Sequence, residues 1–303
     1  MKLIFLGIML MMSQVGLVMA KNSVPQQIPL ERGVILHRTL VSDPRQEYFL
    51  YLPRKGGNGA KIFVTVHGTS RNAEEHARGF APFAERYGVV VIAPYFPAQR
   101  FPDYQRLGRK DKGERADLAL QAMVQEVATI TGASEKKLYL FGYSGGAQFA
   151  HRYMLAYPER VARVVLGAPG WYTFPDENLK YPKGIQTSRS LPTVQFNPTH
   201  FLTIPVCVLV GERDQRRDGE LNKSEHIDLL QGTTRLERGR RWVDAMTEQA
   251  RARGLATTYV FHTLPRSPHS FTRSMRRGGM GELTFDFLFG PSSACSDKLE
   301  SAQ

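Results

Sequence analysis

Three residues of this chain could together make a working nucleophile: Ser144, Asp214 and His269. A serine hydroxyl attacks poorly at neutral pH. It needs a base within hydrogen-bond reach, and that base needs a partner to orient it. Ser144 lies in Gly142-Tyr143-Ser144-Gly145-Gly146. The residues before it, Leu138-Tyr139-Leu140-Phe141-Gly142, read as a buried strand. Those after it, Gln148 to Tyr157, read as a helix stopped by Pro158. Strand, tight turn and helix make Gly-x-Ser-x-Gly a nucleophile elbow, with the serine at its apex. Glycines suit both flanks, because neighbouring backbone must pass close to them.

An elbow that places the nucleophile first should be followed by the acid and then the histidine, each past the end of a later strand. Gly211-Glu212-Arg213-Asp214 follows the apolar run 205–210, so Asp214 is the expected acid, with Glu212 and Asp218 as runners-up. Ser267-Pro268-His269-Ser270-Phe271 offers His269, whose rival His262 closes the preceding strand and is less free to reach Ser144. Attack on a carbonyl creates an oxyanion that needs preorganised N–H donors. The residue after the nucleophile, Gly145, supplies one. The turn His67-Gly68-Thr69 supplies the other, through the Thr69 N–H. Neither cysteine and none of the remaining histidines has a metal-binding or catalytic pattern, and no cofactor is expected.

The elements that must carry these residues alternate. Residues 33–52 read as an antiparallel hairpin at a sheet edge. Then come strand 61–66, helix 77–87, strand 88–94, helix 117–131, the elbow strand and helix, and strand 161–167. Strand 205–210, helix 235–253, strand 257–261 and a last helix near 280–289 complete the chain. Such alternation predicts an α/β fold with a mostly parallel central sheet and helices on both faces. Residues 168–201 break the rhythm. They are rich in proline and aromatic residues and read as a short lid-like insertion over the active-site end of the sheet, with Trp171 and Tyr172 expected to line a substrate pocket.

The chain has 303 residues, 42% hydrophobic and 22% charged, which suits one large domain with a single core. Residues 1–20 read as a secretory signal peptide. Lys2 precedes an apolar run from Leu3 to Met12, and Val18-Met19-Ala20 makes a cleavage site, so the mature domain is expected over 21–303 in a periplasmic or secreted location. No other stretch is long enough to span a membrane. An oxidising compartment permits a disulfide between Cys207 and Cys295, and leaves open that Cys207 is a buried thiol. The net charge of +12 is compatible with attraction to an anionic surface, and no nucleic-acid motif accompanies it.

With elbow, acid and histidine in order, the chain resembles α/β-hydrolases from the mature N-terminus to about residue 290. More narrowly, the block from Val66-His67-Gly68 to Asn72, then Ala84-Glu85-Arg86-Tyr87-Gly88 and Ala93-Pro94, is similar to secreted polyhydroxybutyrate-depolymerase-like and feruloyl-esterase-like members. It differs from them in Thr69, where they often carry cysteine, and in Ser144-Gly145-Gly146 at the elbow. The resemblance implies a serine hydrolase acting on small or polymeric carboxylic esters, and a role for His67 in supporting its loop. Two other readings compete. A prolyl-oligopeptidase-like peptidase shares the elbow, but residues 21–60 are too short for that group's extra domain. A non-catalytic binding protein could also use the fold, since fold alone does not set function.

Overall fold

Runs that are apolar at every position, rather than at alternate ones, form the middle of the sheet. In the computed structural model, which describes residues 30–291, the strands are β1 (Ile35–Leu40), β2 (Asp43–Tyr51), β3 (Lys61–Val66), β4 (Val90–Pro94), β5 (Ser134–Tyr143), β6 (Val161–Gly167), β7 (Val206–Gly211) and β8 (Tyr259–Leu264). Every residue of β4 and β7 is buried, as expected for strands covered on both faces. The edge strands β1 and β8 are half-exposed. The expected signal peptide and Cys295 lie outside the described residues. Cys207 is buried in β7.

The eight strands form one sheet in the order β1-β2-β4-β3-β5-β6-β7-β8. β1 and β2 form the antiparallel hairpin read from the sequence, and β2 joins β4 antiparallel. All pairings from β4 through β8 are parallel. The helices are α1 (Ala73–Tyr87), α2 (Ala116–Thr131), α3 (Gly145–Ala156), α4 (Pro198–Phe201), α5 (Glu225–Gln231), α6 (Arg235–Arg251), α7 (Phe271–Arg277) and α8 (Met280–Phe289). From β3 the chain crosses through α1 to β4 on one side, and from β5 through α3 to β6 on the other. Right-handed crossovers running in opposite directions put α1 and α3 on opposite faces. On the α1 face, Phe63 meets Phe80 of α1 and both Phe285 and Phe289 of α8.

The crossovers diverge between β3 and β5, the switch point beyond whose carboxyl ends parallel sheets bind ligands. There the two strands run in register, Val66 beside Gly142, so the turn after β3 and the elbow after β5 come out side by side.

Several boundaries differ from the sequence reading. α1 begins at Ala73 rather than residue 77, and β8 runs to Leu264, so His262 lies inside a strand rather than at its end. α5 and α7 were not expected. Both are only seven residues long, and α7 buries only Phe271 and Ser274, too little for a helical period to show. No residue of the 168–201 segment lines the cavity over Ser144. The segment packs along α3 and α6, where the Trp242 indole donates to Thr173 O (2.8 Å) and Arg152 Nε donates to Thr173 Oγ1 (2.9 Å).

Three fully buried histidines give the fold a pH limit. His67 Nδ1–H donates to Gly68 O (2.8 Å), while its Nε2 accepts from the Phe96 N–H (3.0 Å). His151 is held the same way, donating to Ala147 O and accepting from Thr173 N–H. The rings of His67 and His151 are therefore neutral, with no acceptor for a second proton. Burial pushes His67 down from 6.5 to about 4, and pushes His76 and His151 well below 6.5. Such a group favours folding above its unfolded pKa, and the advantage disappears as pH falls through that value toward the folded one. Melting temperature is thus expected to hold above 6.5 and fall steadily toward about 4. His67 alone accounts for about 3 kcal/mol across that window. A flat melting temperature down to about 4 would show that these rings protonate in place.

Candidate active site

The elbow is forced by close approach. A Cβ on Gly142 would lie 2.2 Å from Gly146 O, and one on Gly146 would lie 2.0 Å from Val66 O, so neither position accepts a side chain. The chain reverses at Ser144 with φ 52° and ψ −111°, a left-handed conformation that costs a non-glycine residue on the order of 1–3 kcal/mol. Two backbone bonds hold it there: Ser144 N–H to Gly167 O (2.7 Å), and Gln148 N–H to Ser144 O (3.1 Å).

The structure brings Ser144, His269 and Asp214 into one hydrogen-bonded line. Ser144 Oγ lies 3.1 Å from His269 Nε2, and His269 Nδ1 lies 2.6 Å from Asp214 Oδ2. Each comes from just past the carboxyl end of a strand, β5, β8 and β7 respectively. Asp214 is 2% exposed, and Tyr143 stacks its ring on the imidazole at 5.4 Å between centroids. A buried carboxylate facing Nδ1 selects the tautomer with its proton on Nδ1, leaving Nε2 free to accept from the serine.

The runners-up point elsewhere. Glu212 Oε2 accepts from Arg266 N–H (3.0 Å), and Asp218 forms a two-pronged ion pair with Arg235. Burial pushes the Asp218 carboxyl up, but the hydrogen bonds and charge of Arg235 outweigh it and hold the group below its usual range. Arg235 also donates to Asp214 Oδ1 (3.1 Å). Sequence reading missed this arginine. Its only signal was Thr234-Arg235-Leu236-Glu237, a capping box that marks a helix start without saying that its first residue is buried.

A cavity of about 320 Å³ opens over the serine. It is lined by Gly68, Thr69, Tyr143, Ser144 and His269 together with Asn72, Glu75, Glu220 and the start of α7. Gly145 is the first residue of α3, where an N–H has no partner within the helix. The β3 turn lies against the elbow, since a Cβ on Gly68 would sit 3.4 Å from Ser144 Cβ. Thr69 and Gly145 thus flank Ser144. The charged residues on the cavity wall, Glu75 and Glu220, are both acidic despite the basic chain.

The expected substrate pocket is corrected. Neither Trp171 nor Tyr172 lines this cavity. Tyr172 is fully buried and stacks on Trp242 at 5.1 Å, while Trp171 lies against the guanidinium groups of Arg106 and Arg152. These rings fasten the 168–201 segment to α3 and α6.

Known proteins share this architecture. No family model matches the chain. Over 117 residues, 37% of its length, it is 26% identical to feruloyl esterase B of Talaromyces funiculosus, and it spans about a third (33%) of that curated relative. Among solved structures, poly(aspartic acid) hydrolase-1 from Sphingomonas sp. KT-1 superposes with a TM-score of 0.71 at 23% identity, covering 86% of this chain and 100% of the other. LpqC, a poly(3-hydroxybutyrate) depolymerase from Bordetella parapertussis, does so with a TM-score of 0.66 at 23% identity, covering 85% and 87%. With its mostly parallel eight-stranded sheet, the chain has the α/β-hydrolase fold.

Proposed function

We propose that this protein is a serine hydrolase that cleaves carboxylic esters through an acyl-enzyme. The observation that carries the reading is the line Ser144 Oγ–His269 Nε2–Asp214 at 3.1 and 2.6 Å, with the serine held at a positive-φ elbow in an open cavity. Similarity to a feruloyl esterase and the shared fold of a polyester depolymerase support esters as the substrate class.

In the proposed reaction, His269 Nε2 takes the Ser144 proton as Oγ adds to the ester carbonyl. The Asp214 carboxylate stabilises the imidazolium that forms. The Gly145 and Thr69 N–H groups hold the oxyanion. The tetrahedral intermediate collapses, the C–O bond to the alcohol breaks, and the imidazolium returns its proton to the departing alkoxide. Water then enters, gives its proton to His269, and releases the acid with Ser144 restored. A panel of p-nitrophenyl esters beside aminoacyl p-nitroanilides tests the class. Ester turnover with little amide turnover is expected. The reverse would make the protein a peptidase.

The proposed setting is outside the cytoplasm, as one domain over 21–303. Support comes from the leader-like composition of residues 1–20. The protein recovered from a periplasmic or culture fraction is expected to begin at Lys21. An intact Met1 start in the active, exported fraction would refute the leader.

A further inference from the structure

Arg235 breaks two local rules at once. It is the first residue of α6, where the helix dipole disfavours a cation, and its side chain is 0% exposed. What holds it is a pair of carboxylates. Nη1 donates to Asp214 Oδ1 (3.1 Å) and to Asp218 Oδ2 (3.0 Å), and Nη2 donates to Asp218 Oδ1 (3.0 Å). Asp218 is itself pinned, its Oδ1 accepting from the N–H groups of Glu220 (3.1 Å) and Leu221 (3.0 Å). Its side chain is 34% exposed, so this end of the array reaches solvent. The chain Asp218–Arg235–Asp214–His269–Ser144 is therefore continuous from the surface to the serine.

Resting on the serine-hydrolase reading above, we propose that Arg235, anchored by Asp218, is a positioning residue that fixes the Asp214 carboxylate and balances the charge behind His269. Asp214 uses one oxygen for the imidazole and the other for the guanidinium, so the carboxylate cannot rotate without losing one of them. The charge behind the ring is two carboxylates and one guanidinium, a net −1, the same as a lone aspartate would give. Of the other groups at the ring, Tyr143 is neutral, its phenol pushed up by burial, and Glu75 and Glu220 face it across the cavity. None of these three is altered by the variants below.

The charge balance predicts shifts of opposite sign. Arg235→Gln leaves two uncompensated carboxylates, favours the imidazolium, and should move the acid limb of the kcat/KM profile up by roughly 0.5–1.5 pH units. Asp218→Asn leaves no net charge there and should move the limb down. The double variant restores a net −1 and should return the limb to its place while kcat stays reduced, because the carboxylate is no longer held. A purely structural arginine would move stability and leave the limb alone.

The experiment measures, on the full chain, p-nitrophenyl acetate turnover and the rate of fluorophosphonate labelling as functions of pH. Opposite shifts support the proposal. Limbs that stay put, or that move the same way in both single variants, overturn it. If Arg235→Gln fails to fold, as loss of one partner from a buried ion pair allows, Asp218→Asn alone decides, through the downward shift. Absence of labelling in the unaltered protein would instead refute the serine-hydrolase reading itself.

Discussion

Ser144→Ala is expected to lower kcat/KM for a carboxylic ester by about 10⁴-fold or more and to leave the fold in place. The hydroxyl bonds to His269 Nε2 alone among the hydrogen bonds seen, while the elbow is held by backbone groups and by glycines that exclude any other path. Removing Oγ therefore takes away the attacking atom without loosening the turn. Stability should not fall. In Ser144→Gly it should rise, because φ 52° costs serine what glycine adopts freely. The gain is set at about 1 kcal/mol by the lower end of the strain such positions store. Turnover of p-nitrophenyl acetate, fluorophosphonate labelling and a melting curve check the three claims together. Near-normal turnover in Ser144→Ala would place the nucleophile elsewhere.

The parts legible in the sequence are those governed by backbone geometry. The interior strands are apolar at consecutive positions because both faces are covered, and β6 falls at residues 161–167 as read. The elbow shows in its glycines, since only glycine fits where β5 passes Gly146 O and where α3 passes Val66 O. Asp214 and His269 could be picked out because side chains just past strand ends meet at the switch point.

What could not be read depends on three-dimensional company. Trp171 and Tyr172 look alike as pocket walls or packing, and only the neighbours Trp242, Arg106 and Arg152 decide between them. Phe96, Phe101 and Tyr104 lie between two elements with no periodicity to show their burial, yet all three are buried around His67 and Phe149. Arg235 is the sharpest case. A basic residue opening a charged helix reads as solvated, and its burial follows only once Asp214 and Asp218 converge on it from the β7 loop.

That arginine also determines how an amide at position 214 must behave. Asp214→Asn is expected to cut kcat by about 10⁴-fold, with little change in folding. An asparagine has one acceptor oxygen and one NH₂ group. Arg235 can only donate, so it claims the oxygen for the Oδ1 position, 3.1 Å from its Nη1. The NH₂ group then faces His269 Nδ1 at the former Oδ2 position, 2.6 Å away in the native geometry. A donor there obliges Nδ1 to accept, which moves the ring proton to Nε2. An Nε2–H cannot take the Ser144 proton, so the base is lost although every atom but one keeps its place. The loss should therefore appear mainly in kcat, with KM nearly constant. Adding Arg235→Gln to this variant should recover part of the rate, because the amide is then free to turn its oxygen back toward Nδ1. No recovery in the double variant would show that the amide's orientation is not set by Arg235, and a small loss in Asp214→Asn would remove Asp214 from the reaction.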